Sequence, residues 1–195
     1  MIRLGATKYI YYGLGIFILT LGASFTIQSG LGASPFDALL VGLSLKVGLT
    51  VGSWEIIIAL ILIGCNSLLK RQRPELLGLL TALITGLGID TWLFLWRHLL
   101  IPELWFSKLV CFGIGIIVIG LGSAIYLYAN FAPMPVDRLM LIIRELTGMS
   151  ILFSRTFIYL LFLTMAVIFH GPIGVGTLFT VCLGGPILSC FMRLK

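Results

Sequence analysis

Gly32-Ala33-Ser34-Pro35-Phe36-Asp37, with the apolar run that follows it to Gly48, has a partial copy a hundred residues on. The copy, Ala132-Pro133-Met134-Pro135-Val136-Asp137, again leads through an apolar run to a glycine, Gly148. Proline fixes φ and suits the first turn of a helix, and a carboxylate two residues later sits where the first turn's free N–H groups point. Gly32, Pro35, Pro133 and Pro135 therefore mark two structural turns, each opening a helix. Each helix has about 13 residues, roughly 20 Å at 1.5 Å per residue, too short for a hydrocarbon core of about 30 Å. Two helices that begin in or beside a membrane without crossing it organise the rest of the chain.

Composition sets the class. Of 195 residues, 59% are hydrophobic and 10% charged, with mean hydropathy +1.15, whereas a soluble domain carries about 25% charged residues. The expectation is an all-α polytopic membrane protein, a single membrane domain over 1–195 in contact with the lipid bilayer. The formal charge of +6 does not imply nucleic acid, because Lys and Arg gather in short loops and at the termini, as topology signals do. Cys65, Cys111, Cys182 and Cys190 stand singly in apolar surroundings and are expected to be small buried hydrophobes without redox or metal roles. The chain carries no Walker loop, HExxH, GxSxG or paired acidic motif. No enzyme activity, cofactor or metal is expected.

Six segments are long enough to span: about Tyr9 to Gln28, Gly52 to Leu69, Leu76 to Trp96, Ser107 to Ala129, Ile151 to Phe169 and Ile173 to Met192. The first could pass for a secretory signal, but Gly13, Gly15, Leu21 and Gly22 recur as Gly113, Gly115, Leu121 and Gly122. A structural helix is expected there rather than a leader. At the same offset Pro35, Asp37, Leu39 and Gly48 meet Pro135, Asp137, Leu139 and Gly148. Beyond a shorter second loop, Pro74, Gly78 and Gly86 meet Pro172, Gly176 and Gly184. Each repeat half (about 9–100 and about 107–195) is read as a spanning helix, a short re-entrant or interfacial helix, and two more spanning helices.

Charge placement chooses the topology. If the short helices do not cross and the N-terminus is cytoplasmic, the Lys70, Arg71 and Arg73 loop is cytoplasmic, together with Arg138, Arg144, Arg193 and Lys195. If both crossed, that cluster would fall outside. The non-crossing arrangement gives an odd number of crossings per half, hence an inverted-topology internal repeat with both termini cytoplasmic. Such repeats are typical of secondary transporters, with sites near the midplane between the halves. Irregular backbone at membrane depth survives where protein or a water-filled cavity satisfies it, so Gly30 to Pro35 and Asn130 to Pro135 are candidate cavity linings.

Gln28 and Asn130, beside the turns, offer amides to a solute or cap freed backbone groups. Ser34 and Asp37 resemble a capping box, and Asp137 keeps the carboxylate where Met134 has replaced the serine. Both aspartates are candidates for helix capping and for cation or proton binding. Asp90, well past the middle of the third spanning segment, is an intramembrane carboxylate without a counterpart in the second half. Glu55 and Arg155 correspond by the repeat and carry opposite charges; on opposite faces, they are not expected to touch. Arg155 is read as a topology charge or a partner for a lipid headgroup or anionic solute. Gly78, Ala82 and Gly86, and again Gly176, Thr180 and Gly184, read as close-packing faces. Trp92, Phe94, Trp96, Trp105 and Phe106 read as an interfacial belt. His98 and His170 stand apart, facing water or headgroups.

The run Gly13-x-Gly15-Ile16 to Leu21-Gly22, then Leu31 to Leu39 with its Pro35-x-Asp37, then Gly48-Leu49-Thr50-Val51-Gly52, resembles the YczE/YyaS/YitT family of bacterial membrane proteins. The resemblance implies a bacterial cytoplasmic (inner) membrane protein and assigns no site residues. Function is therefore read from the architecture: a small-solute transporter working by alternating access, coupled to protons or cations through Asp37, Asp137 or Asp90. The alternatives are an accessory scaffold without a solute pathway, or the substrate-binding subunit of a multi-component importer. A homodimer along a glycine face is compatible with any of them.

Overall fold

A computed structural model describes residues 2–193, with the side chains of residues 7–150 and 153–193. The described chain is all helical, in the order α1 (Ile2–Gln28), α2 (Pro35–Val47), α3 (Val51–Lys70), α4 (Leu77–Trp96), α5 (Trp105–Ala129), α6 (Pro135–Thr147), α7 (Ile151–Ile168) and α8 (Val175–Arg193). Among the described residues, α1, α3, α4, α5 and α8 are long and apolar enough to cross a membrane. In α7 the apolar stretch is the shorter Phe153–Ile168.

Local chemistry explains the ends. Proline stands at the start of both α2 and α6, as the sequence predicts. The hydroxyls of Ser34, Thr50 and Ser150 accept from the backbone N–H groups of Asp37, Ser53 and Phe153, capping α2, α3 and α7. Asn130 closes α5 in the left-handed region at φ 43°, and Gly148 closes α6 at φ 69°. Gly32 has φ 107°, and a side chain there would run into Gly174 and Thr177.

The long helices α1 and α5 form the central seam. A methyl added at Gly22 would lie 2.7 Å from Gly115 O, and one at Gly122 would lie 2.8 Å from Gly15 O. Backbone therefore meets backbone at both crossings, the way helices associate in lipid. The helix α4 lies against α1, and α8 lies against α5. Each short helix crosses over: α2 packs on α7 as well as α3, and α6 packs on α3 as well as α7. The main apolar core lies where these meet, around Leu39, Leu40, Leu43, Ile58, Leu139 and Ile158.

The small-residue faces pack except at Gly184, which faces the Arg155 side chain. Gly78 touches Pro135, Gly86 meets Gly52 backbone, and Gly176 meets Phe112 and the Leu31–Gly32 turn. Trp92 and Trp96 stack on each other and lie against Phe17 and Phe25 of α1, and their indole N–H groups are buried without a hydrogen-bond partner, so they bind α4 to its neighbour rather than presenting an N–H to an interface. One expectation fails for the cysteines: only Cys111 is buried, and Cys65, Cys182 and Cys190 are exposed. Lipid is as apolar as the interior, so a thiol gains nothing by facing inward. His98 and His170 are exposed as expected, and His170 Nδ1 lies 3.4 Å from Lys46 Nζ.

Candidate functional site

The turn before α2 delivers Asp37 to the interior. Ser34 Oγ accepts from Asp37 N at 3.1 Å, the N-cap half of the capping box expected from the sequence, and donates to Asp37 Oδ2 at 2.6 Å, so the carboxylate takes the Ser34 hydroxyl where a full box would take its backbone N–H. The second turn reaches the same end by another route. Tyr126 of α5 donates its hydroxyl to Asp137 Oδ2 at 2.7 Å and accepts from Met134 N at 3.4 Å. A tyrosine from a neighbouring helix thus stands in for the missing serine, and no local motif could have announced it.

Glu55 joins them from α3 and is 5% exposed. Its nearest hydroxyl, Thr85 Oγ1 at 3.4 Å, has one proton and a shorter contact to Thr81 O at 2.7 Å. Glu55 Oε1 therefore has no short hydroxyl donor. The helix α3, which carries Glu55, packs against both α2 and α6, which carry Asp37 and Asp137. Among the described residues the ion pairs are Lys70–Glu145 and Glu75–Arg138, so none of the three interior acids has a cation against it. Carboxylates at low dielectric repel more strongly than in water, and such a cluster attracts a counter-cation or a proton. On the other side of the cluster, Arg155 Nη2 donates to Tyr159 OH at 2.8 Å.

The other candidates lie apart from this cluster. Asp90 Oδ1 accepts from Gly52 N at 2.8 Å, supplying an acceptor to the first turn of α3. Asp90→Ala is expected to cost about 1 kcal/mol, the size of a lost helix cap, whereas Asp90→Asn keeps an acceptor and should melt within a degree or two of wild type. Thermal unfolding in detergent checks both. Gln28 Nε2 donates to Leu100 O at 2.8 Å, tying the end of α1 to the loop before α5. Asn130 is exposed and serves as the α5 cap. Glu55, Tyr126 and Tyr159 are the additions that sequence reasoning did not place in a site. For Glu55 a signal existed, since a glutamate within an apolar spanning run is costly.

The family described as "Family of unknown function (DUF6198)" matches residues 6–193. "Uncharacterized protein YyaS" of Bacillus subtilis (strain 168) is 63% identical over 187 residues, covering 96% of this chain and 93% of that protein. "Uncharacterized membrane protein YczE" of the same organism is 36% identical over 184 residues, covering 93% of this chain and 83% of that protein. An "Uncharacterized protein" of Haemophilus influenzae is 27% identical over 179 residues, covering 91% of this chain and 79% of that protein. No solved structure matches the chain.

Proposed function

The chain belongs to the DUF6198 family of membrane proteins, and from that premise we propose that it moves a small solute across the cytoplasmic membrane without transforming it. In this reading two inverted halves, each of three spans and one short non-crossing helix, alternate access to the interior acids. Both termini face the cytoplasm, and a cation or proton bound at Asp37, Glu55 and Asp137 drives the exchange.

The observation that carries the reading is the crossed packing around the acids. The short helix of each half lies on the third helix of the other and brings an aspartate to the interior. Such an arrangement supports a site where the halves meet, of the kind found in inverted-repeat transporters. Each end of the assembly is tied in a corresponding way. At one end Lys70 pairs with Glu145 at 2.8 Å and Glu75 accepts from Arg138 Nε at 3.0 Å, joining α6 to the end of α3 and the loop after it. At the other, Lys46 Nζ donates to Ile168 O at 3.2 Å, joining α2 to the end of α7. Contacts of this kind, exposed and polar, are readily exchanged when a gate opens.

The test is thiol accessibility in a background lacking the four native cysteines. Ser34→Cys and Met134→Cys are labelled from each side in turn with a membrane-impermeant reagent. Reaction at both positions, altered by a solute from a screened panel, is the expected result. If both stay unreactive from both sides, the turns are dry and the scaffold alternative replaces this reading. The Glu145→Lys variant should raise cytoplasmic labelling of Met134→Cys several-fold, because two lysines then face each other where an ion pair stood. Unchanged labelling would show that the Lys70–Glu145 contact closes nothing.

A further inference from the structure

Corresponding helix pairs of the two halves are packed differently. The helices α3 and α4 are in close contact, with Gly52 and Gly86 backbone to backbone. Among the described residues α7 and α8 scarcely touch. The position a hundred residues on from Gly52 is Leu152, so the glycine-to-glycine contact is not repeated. Arg155 extends into the space between them. Its Nη2 lies 3.5 Å from where a Cβ at Gly184 would stand, and its Nη1 lies 3.6 Å from the same point at Gly185.

Gly184 and Gly185 are near the middle of α8, so the guanidinium lies well inside the helix rather than at its end. Tyr159 orients it twice. The phenol oxygen accepts one N–H at 2.8 Å, and the guanidinium carbon stands 5.0 Å from the ring centroid. A guanidinium has five N–H donors in a planar fork, and among the described residues Tyr159 OH is its one hydrogen-bond acceptor. Among the described residues no ion pair neutralises it. Asp137 makes no ion pair with it among the described residues and accepts its hydrogen bond from Tyr126. An oriented guanidinium without an ion-pair partner among the described residues, beside two residues without side chains, has the donors and the room that a planar or tetrahedral oxyanion needs.

We propose that Arg155, Tyr159, Gly184 and Gly185 form a binding site for a carboxylate or phosphate group, carried by a soluble anion or by a lipid headgroup. Binding at this site needs nothing from the transport reading. Only the further step, that the bound anion is the solute carried, rests on it.

The wild type, Arg155→Lys and Arg155→Gln are placed in phosphatidylcholine nanodiscs and titrated with sodium acetate and with inorganic phosphate. Ionic strength is held constant with chloride, and melting is followed by intrinsic fluorescence. A parallel set contains phosphatidylglycerol. The expected result is a saturable rise in melting temperature of the wild type. Arg155→Lys, which keeps the charge and loses the fork, should need roughly tenfold more anion for half-saturation. Arg155→Gln should show no rise. A rise with the free anions in phosphatidylcholine assigns the site to a soluble ligand, and a rise confined to phosphatidylglycerol assigns it to a headgroup. Should Arg155→Gln fail to elute as a folded species, the lysine variant decides, and an unchanged half-saturation overturns the proposal. So does the absence of any Arg155-dependent rise in both sets. Anion binding by a protein whose turns stay dry to thiol reagents would remove the transport reading and leave this site standing.

Discussion

Gly52→Val is expected to be the most damaging single substitution in the chain. A Cβ at position 52 would overlap Gly86 O of α4 and come within 2.6 Å of Asp90 Oδ2. The obstruction is backbone, which has no rotamer to yield, so α3 must move away from α4. That movement also withdraws Gly52 N from Asp90. Overpacking typically costs about 1–3 kcal/mol and occasionally more, and a lost cap adds about 1. The variant should melt many degrees below wild type or fail to elute as a single species from a size-exclusion column. Gly64→Val on the same helix is the control, because nothing lies within 4 Å of a Cβ there. Equal melting of the two variants would mean that the α3–α4 contact is not a close one.

The second large effect separates stability from function. Asp37 and Glu55 are interior carboxyl groups with no cation alongside among the described residues, and turning either into its amide removes the cost of an unpaired buried carboxylate. Glu55→Gln keeps the shape of the side chain and is expected to melt at or above the wild-type temperature. Asp37→Asn loses the carboxylate that accepts from Ser34 but gains by the same relief. Once one charge is gone the other no longer suffers, so the double variant should gain less than the two single gains added. Coupling between neighbours of this kind runs to about 0.5–3 kcal/mol. Thermal unfolding of the four proteins measures it. The same variants should abolish cation- or proton-driven accumulation of solute in vesicles. Additive losses of stability would instead mark both carboxylates as ordinary structural groups.

The ends of the short helices were legible in the sequence because their punctuation is local. Pro35 and Pro135 fix the starts, and Gly48 and Gly148 follow the last helical residues, so α2 and α6 fall where the pattern put them. Several long-helix ends are similarly marked by charge or proline, as at Arg71 to Pro74 after α3 and Pro102-Glu103 before α5. What neighbours do to one another was not legible. Nothing near Met134 says that Tyr126 will supply the missing hydroxyl, because that contact depends on how α5 faces the turn. Position alone could not choose between solute contact and backbone capping for Gln28 and Asn130; in the fold Gln28 ties a loop and Asn130 ends a helix. Periodicity could not sort inward from outward on helices that are apolar all round, which is why three of four cysteines were misplaced. Arg155 was noticed for its charge; its orientation over Gly184 and Gly185 needed coordinates.

The seam between α1 and α5 has a mechanical consequence. With Gly22 against Gly115 and Gly122 against Gly15, translation of one helix along the other would drive side chains into backbone at two crossings at once. Sliding is blocked, while a small pivot about the crossings is not. The seam therefore behaves as an axle: elements on it hardly travel, and displacement grows with distance from it. Lys70, Glu145 and Lys46 sit at the far ends of helices that lie off this axle. On the proposed transport reading, a stiffer axle, made by adding bulk at its rim, would slow the cycle without altering which molecule is admitted.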